Sequence, residues 1–180
     1  MADRTFTKVS HAVWTSRRFR GVGNQARLYY LYLLTNTHID STGCYRLPDA
    51  YACADCGIDA DAHKAATAEL IAADMIAVDA EYVLIKRWFK HNPPMNCDHA
   101  EGTRRRIANI ESDLLREECE ATFTEAETAL NERLERISAL KAERSAKAEL
   151  KLVHTRAGKG FGQILGSDLT QTRYMNGGGK

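Results

Sequence analysis

Residues 59–88 read DADAHKAATAELIAADMIAVDAEYVLIKRW, and this stretch decides how the chain folds. Its first half, Asp59 to Ala73, is Ala-rich and free of Gly and Pro. Helical spacing brings Ala66, Thr67, Leu70 and Ile71 to one side, which predicts an α-helix. The other side carries Asp61, Lys64, Ala65, Ala68, Glu69 and Ala72. The second half holds two β-prone runs, Met75–Val78 and Tyr82–Lys86, separated by Asp79-Ala80-Glu81, about the loop length of a tight hairpin.

Upstream, Val13-Trp14-Thr15-Ser16 leads into Arg17-Arg18-Phe19-Arg20, and Gly21 and Gly23 interrupt before Asn24, a candidate N-cap. The following run to Thr35 predicts a helix with Leu28, Tyr29, Leu31 and Tyr32 on a broad apolar surface. Aromatics at this spacing are expected in a core rather than around a ligand. Asn36 to Gly43 reads as a polar turn and Gly43 to Leu47 as a short extended segment closed by Pro48. Asp49 to Cys56 predicts a short helix ended by Gly57. The resulting order of helix, short strand, helix, turn, helix and hairpin is that of a winged helix-turn-helix domain over residues 1–92, in which the last helix can enter a DNA groove and the hairpin touches flanking backbone.

The segments RRFRG, ARLYYLYLLTNT, GCYRLPDAYACADCGI, AELIAADMI and VLIKRWFKHNPPMN together resemble the N-terminal winged-helix domain of phage and prophage replication-initiation proteins, which are distantly DnaD-like. The resemblance covers residues 13–100, and its most specific pieces are GCYRLP and WFKHNPPMN. It implies a DNA-binding or replisome-assembly module encoded by a mobile element. Two positions depart from the pattern: Cys56 stands where a leucine is usual, and Asp74 where a glycine usually ends the third helix.

Past the hairpin, His91-Asn92-Pro93-Pro94 breaks secondary structure, and residues 93–98 read as a linker. Residues 99–152 are charged, free of Pro and strongly helical, which predicts a helical extension. Within it Phe123, Leu130, Leu134 and Ile137 form a stripe at 3-4 spacing, a short coiled-coil signal that ends where Lys141 and Arg144 occupy the seam. The stripe predicts self-association, docking of a partner, or folding back onto the domain or onto the segment containing Ile107, Ile110 and Leu114. Residues 153–180 are expected to be a flexible tail, since the last 23 residues hold seven of the 12 glycines.

Lys and Arg number 25 against 24 Asp and Glu, so a polyanion would have to meet a local patch rather than a whole-molecule field. No apolar run approaches a membrane span and the first residues, MADRTFTKVS, are too polar for a secretory signal, so a cytoplasmic protein with reduced thiols is expected.

Among groups that could carry chemistry, Cys53-x-x-Cys56 with Cys44, Cys97 and His99 has partial zinc spacing, but there is no second C-x-x-C; packed thiols are expected, with neither metal nor cofactor. Gly158-Lys159-Gly160-Phe161-Gly162 lacks the strand and the GK[ST] of a phosphate loop. No Ser-His-acid or Cys-His grouping points to an enzyme or a small-molecule substrate. The candidate DNA contacts are cationic: Arg17, Arg18, Arg20, Arg46, His63, Lys64, Lys86, Arg87, Lys90, Arg104, Arg105 and Arg106. The outer side of the helix before the hairpin offers no Arg, Asn or Gln to read base edges. DNA binding of low sequence specificity is therefore expected, with a protein-binding adaptor as the competing reading and a transcriptional repressor as a third.

Overall fold

The computed structural model describes residues 7–167. The chain is mainly helical with one small antiparallel sheet. After a 3-10 turn at His11–Thr15, the elements are α1 (Arg17–Gly21), α2 (Asn24–Thr35), β1 (Cys44–Arg46), α3 (Asp49–Cys56), α4 (Ala60–Ala72), β2 (Ile76–Asp79), β3 (Tyr82–Ile85), α5 (Trp88–His91), α6 (Cys97–Ile107) and α7 (Asp113–Ser167). Side-chain caps set several starts: Asp59 accepts from the Ala62 N–H at 2.8 Å to open α4, Asn96 accepts from the His99 N–H at 2.8 Å to open α6, and Ser112 accepts from the Leu115 N–H at 3.2 Å to open α7. Gly57, at φ 65°, ends α3 in the left-handed region that glycine adopts without a Cβ penalty.

The strand order is β1-β3-β2, both pairings antiparallel, with Tyr45 and Val78 each opposite Val83. Val83, Leu84 and Ile85 are all buried, so the central strand has lost the alternation that a one-sided sheet would show. The hairpin loop is two residues, Ala80-Glu81, rather than the three read from the sequence, because Asp79 still pairs with Tyr82.

α2 and α4 pack together through Ala26, Tyr29 and Leu33 on one and His63, Ala66 and Leu70 on the other. Two expectations are corrected by this register. Leu28 and Ile71 are exposed, whereas His63 is buried with its ring edge-on to Tyr29, centroids 4.8 Å apart. The buried positions 63, 66 and 70 recur at three and four residues, so the core face of α4 is turned about one residue from the predicted one.

The compact unit runs through Asn131, past the expected linker at 93–98. α6 contributes Ala100 and Ile107, and α7 contributes Leu115, Cys119, Phe123 and Leu130 to the same core. Ser112 Oγ lies 2.6 Å from Asp79 Oδ2, Lys86 pairs with Glu118, and the rings of Phe123 and Phe89 meet at 5.2 Å. Leu114, placed by the sequence with Ile107 and Ile110, is exposed while those two are buried. From Glu132 a second unit begins; each described side chain from Asn131 to Glu149 is exposed. The tail expected from residue 153 overlaps α7 as far as Ser167, and its remainder lies outside the described residues. No helix among the described residues is long and apolar enough to cross a membrane.

Candidate nucleic-acid interface

Seven of the twelve predicted contacts are held in ion pairs within the chain. Arg46 pairs with Glu81 and Lys86 with Glu118. On α6, Arg104 reaches Glu101 at 3.3 Å and also Glu127, Arg105 reaches Glu101 at 3.0 Å, and Arg106 faces Asp40 at 3.6 Å. Three arginines are thus matched by three carboxylates, and this cluster offers a polyanion little net charge. His63 is 5% exposed and cannot reach a phosphate. Most of these carboxylates are more than twenty residues away in the chain, so no local reading of the basic runs could have seen them.

The balance differs around α1. Arg18 and Arg87 share one acid: Asp74 Oδ2 lies 2.9 Å from Arg18 Nη1 and 3.3 Å from Arg87 Nη2, and Arg18 also donates to the Asp74 carbonyl at 2.9 Å. Asp74 sits at φ 52°, the left-handed conformation for which a glycine would be usual and which Asp tolerates better than most residues. Arg17, Arg20, Lys64 and Lys90 are exposed and, among the described residues, have no acidic partner.

An open groove of about 460 Å³ between α1 and α4 is lined by Arg17 and Arg18 on one side and by Glu69 and Ala72 on the other. Glu69 is occupied, accepting from the Gly23 N–H at 2.8 Å. Asp61, Lys64, Ala65, Ala68, Glu69 and Ala72 are all exposed, as their spacing predicts. Lys64 therefore lies on the strip of α4 that ends at the groove, about 12 Å along the helix from Ala72 at the 1.5 Å rise per residue.

No family model, curated protein or solved structure matches this chain. The site must be read from its own chemistry.

One residue that carries this end of the molecule escaped the sequence reading. Arg27, half-buried on α2, donates to the carbonyls of Phe19 at 3.0 Å, Val22 at 2.9 Å and Arg20 at 2.7 Å, satisfying acceptors that the five-residue α1 leaves open at its C-terminus. Its guanidinium also lies 5.9 Å from the Phe19 ring centroid. Phe19 itself, which the sequence interleaves with the arginines, is 1% exposed and belongs to the core, whereas Trp14 is 61% exposed. The only advance signal for Arg27 was its place one turn into a helix that follows a Gly-interrupted segment.

Of the residues expected to associate or dock, Phe123 and Leu130 are buried in the first unit, and Leu134 and Ile137 are exposed in the second. The stripe is therefore divided, its first part folding back as one of the sequence alternatives had it. All five cysteines are free: Cys44 and Cys119 are buried, Cys53 and Cys56 half-buried, and Cys97 exposed. Among the described residues no group of three or more His, Cys, Asp or Glu is arranged to hold a metal. Burial pushes the Cys44 thiol up to about 12 and raises the Cys119 thiol as well, which leaves both as neutral, unreactive thiols at ordinary pH.

Proposed function

We propose that this chain is a non-catalytic winged-helix DNA-binding protein of phage type, acting in replication initiation or replisome assembly and gripping DNA through its phosphates with low sequence specificity. The observation that carries this reading is the excess of positive charge around α1: Arg17 and Arg20 unpaired among the described residues, Arg18 and Arg87 sharing one carboxylate, and Lys64 on the strip of α4 that leads to them. The order helix, strand, helix, helix, hairpin, with β3 between β1 and β2, supports the winged-helix assignment. Phosphate contacts need only charge and reach. Base reading needs donors and acceptors in the groove, and the exposed strip of α4 is half alanine and has no Arg, Asn or Gln, which argues against a sequence-specific repressor. Substituting Arg17, Arg20 and Lys64 by Ala together is expected to lower affinity for unrelated duplexes by a similar factor, about 10- to 100-fold at low salt. A loss confined to one sequence would contradict this.

The adaptor reading keeps one observation of its own. The arginines of α6 are neutralised by Glu101, Glu127 and Asp40, and exposed Leu134, Ile137 and Leu140 follow on α7. A chain that has no measurable DNA affinity at low salt but self-associates or holds a protein through Leu134 and Ile137 would establish it.

A further inference from the structure

Trp14 is 61% exposed, an unusual position for the side chain with the largest apolar surface to hide. It is nonetheless fixed. Ser10 caps the 3-10 turn that carries it, accepting from the Ala12 N–H at 3.2 Å, and the Ser16 N–H closes the turn onto the Val13 carbonyl at 3.1 Å. Ser16 then caps α1 through the Phe19 N–H at 3.4 Å. The indole meets the buried Phe19 ring at 5.4 Å with an interplanar angle of 87°, so a core residue props it while most of its surface stays open. Its neighbours His11, Ala12, Thr15 and Arg17 are exposed and mostly polar, which is not the apolar surround that shields an aromatic anchor at a protein interface. A 3-10 turn of five residues is also too short to present the amphipathic face by which a helix lies on a membrane.

Resting on the nucleic-acid reading above, we propose that Trp14 stacks an unpaired base of single-stranded DNA while Arg17 and Arg20 hold the adjoining phosphates. A propped aromatic ring beside unpaired cations is the chemistry by which single strands are held without sequence preference. A duplex, whose bases are already stacked on one another, gives the indole nothing to cover.

The molecule supplies its own probe. Its two tryptophans differ sharply in access, Trp88 being 3% exposed, so quenching by a bound strand reports on Trp14. The test titrates the full chain at low salt with oligo(dT), with oligo(U) and with a duplex of equal length, following tryptophan emission and, separately, the anisotropy of labelled strands. Saturable quenching by oligo(dT) and little by the duplex is expected. Trp14→Ala should remove the quenching and weaken oligo(dT) binding roughly 5- to 100-fold, the range that stacking of one base spans, with an unchanged thermal midpoint, while Trp14→Phe should keep part of the affinity. Wild-type binding of oligo(dT) by the Trp14→Ala protein, or equal quenching by the duplex, would overturn the stacking role and leave the phosphate-binding reading intact. Tighter binding of oligo(U) than of oligo(dT) would overturn the assignment of the strand as DNA. Absence of anisotropy change with every strand would remove both readings together.

Discussion

Gly43 is held by two constraints at once. Its φ of 68° is one that L side chains rarely adopt, and a Cβ placed there would lie 2.3 Å from Trp88 Cγ. The turn wraps the indole closely enough for Trp88 Nε1 to donate to the Ser41 carbonyl at 2.9 Å. Gly43→Ala is expected to cost about 3 kcal/mol, combining the left-handed penalty with overpacking, read as a lower urea midpoint at unchanged slope. Arg27→Ala is expected to cost about 2 kcal/mol, since three carbonyl groups lose a charged donor, and to weaken DNA binding by loosening α1. Arg27→Lys should restore little, because an ammonium group cannot reproduce the planar fork. The buried thiols set a pH limit. Cys44 is raised from 9.0 to about 12 in the folded chain; with the folded value above the unfolded one, its contribution is fully present below pH 9 and is lost as pH rises towards 12. Cys119 acts in the same direction. Denaturant unfolding at pH 10.5 should therefore show lower stability than at pH 7.5, by about 1.4 kcal/mol per group and pH unit above the unfolded value, and Cys44→Ala should shrink that difference.

At the scale of elements, the hairpin and the last helix carry the clearest consequences. Ala80 sits at φ 52° in a two-residue loop, and Ala80→Gly is expected to stabilise the chain by about 0.5–1 kcal/mol by removing that strain. An unchanged or lower thermal midpoint would contradict it. The first turns of α7 belong to the core, so a chain ending at Asn131 should melt cooperatively by circular dichroism, whereas one ending at residue 120, which discards Phe123 and Leu130, should not. α4 and the hairpin were legible in the sequence because their patterns repeat within a few residues, and Gly57 because a helix stop is a local event. The end of the compact unit was not. Leu115, Cys119, Phe123 and Leu130 are spaced by four, four and seven, which is equally the pattern of an oligomer seam and of a helix returning to its own domain, and only the partner surface around Phe89 decides between them. The departure at Asp74 was visible as a wrong residue for a helix end, but its compensation by Arg18 and Arg87 joins three places far apart in the chain.

For the whole molecule, a net charge of +1 provides no long-range attraction, so association with DNA has to come from the local excess around α1. Exposed ion pairs are worth only about 0–1 kcal/mol, so Arg18 or Arg87 can turn from Asp74 to a phosphate, but the carboxylate left behind repels the same phosphate. The basic runs were legible in the sequence as runs; which of them are neutralised was not, because the answer depends on carboxylates brought in by the fold. Of the twelve predicted contacts, four remain unpaired among the described residues, Arg17, Arg20, Lys64 and Lys90, and they bound the number of phosphates that the predicted contacts engage. The most direct measurement is a fluorescence polarisation titration of the full chain with labelled single- and double-stranded DNA of unrelated sequences at several salt concentrations. Binding at low salt is expected for all sequences, with log K falling against log salt at a slope of about −2 to −3.5, as two to four phosphate contacts require. No binding at low salt, or an affinity that does not change with salt, would contradict the account.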